Sequence, residues 1–152
     1  MNGEITKIAI FESSEIRKQL HKGEWWFVLQ DVVVALIDSS DASQYIKRLR
    51  SRDAGLNELF VSTVDKGGVQ IVPPLALSFD TPGGKQKLLS WNTRGVLRLI
   101  QSIPSKKAEP FKRWLAQVGY ERIQEIEDPE LAQKRMGDTY RAKGYSDDWI
   151  MR

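Results

Sequence analysis

Two groups of cations are the residues of this chain best suited to chemistry. Lys47, Arg48, Arg50 and Arg52 form one. Arg94, Arg98, Lys106, Lys107, Lys112, Arg113 and Arg122 form the other, within the run Leu88–Ile123, LLSWNTRGVLRLIQSIPSKKAEPFKRWLAQVGYERI. Cations at helical spacing can meet successive phosphates of a nucleic-acid backbone, and each such contact makes affinity more salt-dependent. Glu109 and Glu121 offset the second group only in part. Spacing alone fits an ordinary solvated face equally well. Gln44, beside the first group, is a candidate for reading a base edge, set against its plainer reading as a surface residue.

Other chemistries find little support. The TPGGK run at Thr81–Lys85 lacks the GxxxxGK[ST] spacing of a phosphate-cradling loop and reads as a turn. Gly67-Gly68 reads as a hairpin. His21 is the single histidine, set in a charged turn with no cysteine in the chain, and reads as an exposed loop residue. Asp31 reads as a helix cap. The acidic residues between Glu121 and Glu130 are local in sequence and read as a solvated face, because paired-carboxylate catalysis needs convergence from separate elements. No catalytic residue, metal site or cofactor is expected, and the chain reads as non-enzymatic.

The 152 residues are 41% apolar and 28% charged, with a net charge of +3, which suits one domain or one domain plus a helical tail. Five tryptophans and five phenylalanines argue against general disorder. The absence of cysteine excludes disulfides and thiol chemistry and fits a reducing cytoplasm. No secretory leader is visible, and the longest apolar run, Val32–Ile37, is far too short to span a bilayer.

These residues need elements to position them. Lys7–Phe11 and Trp25–Leu29 predict strands. In the second, adjacent Trp25 and Trp26 should face opposite sides. A helix over Val32–Ile37 follows, then a break at Asp38–Asp41 and a second helix over Ala42–Arg52 with Tyr45, Ile46 and Leu49 inward. Gly55 ends or interrupts it. Leu59–Val64 and Val69–Val72 predict a hairpin about Asp65–Gly68, and Leu75–Phe79 is strand or irregular. Gln86–Trp91 predicts a further strand. Asn92 or Thr93 caps a helix to Ile103, with Arg94 and Arg98 outward, and Pro104 ends it. Pro110–Val118 forms the next helix, with Phe111, Trp114, Leu115 and Val118 inward. Gly119 is expected to interrupt before Tyr120–Glu127 continues. Pro129 opens a later helix, Gly144 stops it, and Ser146 caps a last turn carrying Trp149 and Ile150 as buried candidates.

Read together, GEWWFVLQD at Gly23–Asp31 with the helix after it, TPGGKQ, LLSWNTRGVLRLI and KAEPFKRWL resemble the Bro-N domain of phage antirepressors, baculovirus repeat proteins and the DNA-damage-inducible protein D group. The match in order and spacing covers about Ile16–Val118. The resemblance implies a compact α+β domain with DNA-binding capacity, acting in phage gene control or in the response to DNA damage. Arg94, Gly95 and Leu99 fall in the family's second block, and Phe111, Lys112, Arg113 and Trp114 in its FKRW-like block. The aromatic members should be core and the charges candidates for DNA or partner contact. After Trp114 the chain departs from the VLPxIR ending of antirepressor-type members. Its LAQVGYERIQEIEDPELAQKRM, with KGYSDDWI, is similar to the damage-inducible subgroup, where further sequence usually follows, so a truncated chain is one expectation.

The expected architecture is α+β: a small antiparallel or mixed sheet packed with amphipathic helices in a Bro-N-like domain over 1–118, then a helical extension over 119–152. The expected function is a cytoplasmic DNA-binding regulator of the prophage antirepressor or damage-inducible type. Gln44, Lys47, Arg48, Arg50, Arg94, Arg98, Lys106, Lys107, Lys112 and Arg113 would contact double-stranded DNA. The alternative is a protein-binding module that sequesters a repressor or acts on a recombinase without touching DNA. Self-association is compatible with either, and no membrane partner is expected.

Overall fold

Trp26, Phe27 and Val28 are costly to leave in water, and strand β2 (Glu24–Val28) buries all three. The computed structural model describes residues 15–37 and 40–150, so the strand expected at Lys7–Phe11 lies outside the described residues. Strand β1 (Lys18–His21) pairs antiparallel with β2 through the turn Lys22-Gly23, whose φ angles of 51° and 81° are those of a type I′ turn. His21 therefore ends a strand, half-buried and edge-on to Trp26 at 5.6 Å, rather than sitting in an exposed loop. Trp25 and Trp26 part as alternation requires: Trp26 is 3% exposed and Trp25 45%.

Strands β3 (Val64–Lys66) and β4 (Val69–Ile71) form a separate hairpin. Its turn is Gly67-Gly68, with φ of 62° and 77°, so positive φ at both central positions tightens the connection expected over Asp65–Gly68. Strands β5 (Leu75–Thr81) and β6 (Gly84–Asn92) form the longest ladder, turned at Pro82-Gly83 within the expected TPGG. The main sheet has the order β1-β2-β6-β5 and is antiparallel throughout.

Helix α1 (Leu29–Leu36) buries Leu29, Val32, Val33 and Leu36, one stripe at helical spacing. It starts directly after β2, so Asp31 lies inside its first turn and does not cap it. Asp31 instead accepts from the Arg17 backbone N–H at 2.9 Å and from Nε and Nη2 of the Arg17 guanidinium at 2.8 and 2.9 Å, tying the chain before β1 to α1. Helix α2 (Ala42–Arg52) has the expected bounds, with Asp41 as its cap accepting from the Gln44 N–H.

Helix α3 (Ala54–Val61) replaces the strand expected from Leu59. Asp53 caps it through the Leu56 N–H at 3.0 Å, and Leu56 and Leu59 turn inward. Gly55 therefore sits inside a new helix instead of ending the old one. Asp53 also accepts from Ser102 Oγ at 2.6 Å and from Arg98 Nη2 at 3.2 Å. The Ser102 hydroxyl, the Leu56 N–H and the Arg98 guanidinium together hold its carboxyl down at about 2, below the ordinary 3.8.

That shift predicts an acid-sensitive joint. The folded state binds this proton less tightly than the unfolded chain, so the stability Asp53 contributes is whole above about pH 4 and drains away as pH falls through about 2. Asp53→Asn keeps a capping oxygen but loses the charge. Urea melts of both proteins should show a stability gap that narrows as pH drops across that window. A gap independent of pH would mean that the carboxylate's charge contributes nothing.

Helix α4 (Thr93–Ser102) is capped by the buried Asn92, which accepts from the Gly95 N–H at 3.1 Å. It sends Val96, Leu99 and Ile100 into the core beside Ile103 and Phe111. Trp91 is the largest fully buried side chain, with its indole N–H donating to the Val72 carbonyl at 2.6 Å and Phe60 edge-on at 4.9 Å.

Helix α5 (Glu109–Glu127) runs unbroken through Gly119. Nothing lies within 4 Å of a Cβ built there. One exposed glycine costs a helix only about 1 kcal/mol, too little to stop one with eight more helical residues after it. Helix α6 (Glu130–Ala142) packs on α5. Its Arg135 bonds Glu121 and sets Nε 2.7 Å from Glu125 Oε1, close enough for an ion pair but not aligned as a hydrogen bond. The acidic residues expected to be a solvated face thus supply an interhelical contact. Helix α7 (Asp147–Ile150) follows Gly144, with Ser146 accepting from the Trp149 N–H. Trp149 stays 46% exposed, edge-on to Tyr140 and tilted against Tyr145, rather than buried. No described helix is long and apolar enough to cross a membrane.

Candidate nucleic-acid interface

Helix α2 presents cations because its sequence, ASQYIKRLRSR, places apolar residues on one stripe and no carboxylate anywhere. Ala42, Ile46 and Leu49 are buried, and Lys47, Arg48 and Arg52 are exposed. Both of its ends are closed: the Asp41 side chain accepts from the Gln44 N–H at the start, and the Asp53 backbone N–H donates to the Leu49 carbonyl at the end. A helix fixed at both ends is a stiff mount for charge.

Arg50 differs from its neighbours. It is half-buried, donates from Nε to Asn57 Oδ1 at 2.9 Å, and lies 4.6 Å from the centre of the Phe60 ring. Lys47, Arg50, Ser51 and Asn57 line one open concavity between α2 and α3. Arg48 lies over Tyr45 at 5.8 Å. Burial raises the Tyr45 phenol's pKa, and the Arg52 and Arg48 charges oppose that rise. Gln44 is exposed on the first turn, with its backbone N–H held by Asp41.

The second group disperses. Arg94 is exposed and donates to the Gln70 carbonyl at 3.2 Å, which ties the β3–β4 hairpin to the start of α4. Arg98, expected outward, is half-buried and turned onto Asp53 and Ser102. Lys106 and Lys107 are exposed in the turn before α5. Lys112 is half-buried, and Arg113 is exposed but 3.5 Å from Glu109 one turn away. Exposed pairs of that kind contribute little to stability.

Asn57 and Phe60 are the residues that reading the sequence missed. The signal was there: an Asp53 cap followed by Leu56, Leu59 and Phe60 at helical spacing. The segment Val61–Val64, with three β-branched residues, masked it. Among the described residues, no group of three or more His, Cys, Asp or Glu side chains is placed to hold a metal ion.

A family model described as the BRO family, N-terminal domain, matches residues 15–121. Comparisons with curated proteins and with solved structures give no match. The matched span holds the whole main sheet, helices α1 to α4 and the first part of α5, and the chain belongs to the BRO family through this N-terminal domain.

Proposed function

We propose that this protein is a DNA-binding regulator and that α2 is its principal contact surface. The observation that carries the reading is a helix without carboxylates, capped at its start, with Lys47, Arg48 and Arg52 exposed and Arg50 beside them. Family membership supports it, because BRO-type N-terminal domains are associated with antirepressor and other regulatory roles. Exposed lysines and arginines on such a mount suit the phosphate backbone of double-stranded DNA, and Gln44, exposed on the same helix, would reach a base edge. Lys106, Lys107, Lys112 and Arg113 would extend the contact. Arg94 and Arg98 serve the fold first, through Gln70 and Asp53.

We further propose that the regulatory unit ends near residue 118 and that α6 and α7 belong to an extension of the damage-inducible type. The decisive experiment titrates labelled double- and single-stranded DNA across about 50 to 200 mM salt. Binding that weakens steeply with salt supports the reading, and no binding at the lowest salt overturns it.

One observation favours a second reading, a module that binds a repressor or recombinase. On the outer half of α5, Tyr120, Ile123 and Ile126 are 57%, 59% and 66% exposed. Exposed apolar residues grouped on one helix suit a protein partner. A stable complex with a repressor or recombinase in the absence of DNA would move the assignment there.

A further inference from the structure

We propose that the concavity between α2 and α3 is a seat for a single backbone phosphate, with Arg50 held ready by Asn57 and Phe60. This deepens the DNA-binding reading and rests on it. An arginine on a helix surface is normally a mobile cation that must be ordered when it binds. Arg50 is already ordered. Its Nε donates to Asn57 Oδ1 at 2.9 Å, and its guanidinium lies 4.6 Å from the Phe60 ring centre. Phe60 is itself fixed edge-on against the fully buried Trp91. The charge is thus braced against the core through two aromatic rings.

The donor set fits a phosphate. With Nε occupied, the Nη N–H groups of Arg50 remain, in the planar fork that suits phosphate oxygens. Asn57 accepts through Oδ1, which leaves its amide N–H groups as donors. Lys47 adds an ammonium one turn before Arg50. Ser51 donates its hydroxyl back to the Lys47 carbonyl at 3.1 Å, so it forms wall rather than ligand. No carboxylate lines the concavity. Lys47, Arg48 and Arg52 then serve as point charges around one oriented contact.

Asn57 carries no charge, so its effect separates orientation from simple attraction. Duplex DNA binding is measured across the salt series for the wild type, Asn57→Ala, Arg50→Lys and Arg50→Ala, with thermal melts confirming that each folds. Asn57→Ala and Arg50→Lys should weaken binding roughly three- to tenfold with the salt slope unchanged, because a side chain must now be ordered on binding while the charge count stays the same. Arg50→Ala should weaken it further and reduce the slope by about 0.9. Full affinity in Asn57→Ala and Arg50→Lys would overturn the seat and leave Arg50 as one more point charge.

Nitrogen-correlated proton spectra of the Arg50 Nε–H and the Asn57 amide, taken with inorganic phosphate and with duplex DNA, separate the two claims. Shifts confined to these groups with phosphate, in a protein that binds no DNA, would keep the seat as a free-phosphate site and remove the DNA reading. No shift with either would remove the seat.

Discussion

Gly95→Ala is expected to lower stability by roughly 3 kcal/mol or more, although alanine is the better helix former. A Cβ at position 95 would lie 2.2 Å from Cδ2 and Cε2 of Trp91. The indole cannot step aside. It is fully buried, its N–H is held by the Val72 carbonyl, and Phe60 packs edge-on against it. The methyl group must therefore push α4 off the sheet or pull the indole from its bond, and either disturbs the centre of the core. For a chain of this size the loss corresponds to a fall in Tm of about 10 °C. Gly119→Ala is the matched control: position 119 is helical and open, so alanine should raise stability by about 0.5–1 kcal/mol. Equal and small effects at the two positions would mean that α4 does not rest on the Trp91 ring.

Lys47→Ala, Arg48→Ala and Arg52→Ala combined should reduce duplex DNA affinity on the order of a hundredfold or more near 0.1 M salt. The reasoning is counterion release. Each neutralised phosphate adds about 0.9 to the slope of log affinity against log salt, so three lost contacts should lower the slope by up to about 2.7. The fold should tolerate the change, because all three side chains are exposed and alanine favours the helix at least as well. Circular dichroism and a melt would confirm that. Arg50 is left in place because its bond to Asn57 and contact with Phe60 are part of the packing between α2 and α3. An unchanged slope in the triple variant would show that α2 is not the surface. The parallel reversal of Lys112 and Arg113 would then test the second group, where Arg113 already has Glu109 as a partner.

The two predictions meet at one structural axis. Gly95 admits Trp91, Trp91 seats Phe60, and Phe60 seats Arg50. A core substitution on α4 can therefore loosen a charge on α2 without touching it. Mild core variants that remain folded should lose affinity before they lose secondary structure.

Several elements were legible because their signals are local. The stripe Ile46 and Leu49 with polar flanks gave α2 its bounds, TPGG marked the turn that joins β5 to β6, and Asn92 or Thr93 marked the start of α4. Trp25 and Trp26 had to face opposite ways on any strand. Two errors came from weighing local signals wrongly. The run at Val61–Val64 looked like strand and hid the helix that Asp53 caps, and Gly119 looked like a stop although its cost is small within a long helix. Both were correctable from sequence.

Other features were not legible at all. Asp31 holds Arg17, Arg98 turns onto Asp53, and Arg135 forms ion pairs with Glu121 and Glu125. In each case a side chain that reads as a cap, a free cation or a solvated acid is claimed by a partner from another element. By itself the sequence determined the two groups of cations, the α+β class and the helix that carries the first group, because charge, hydrophobic period and turn chemistry are properties of neighbouring residues. Only the tertiary structure decided which cations stay exposed and which are fixed in place, because a guanidinium's freedom depends on the acceptor or ring that the fold brings to it across many residues of chain.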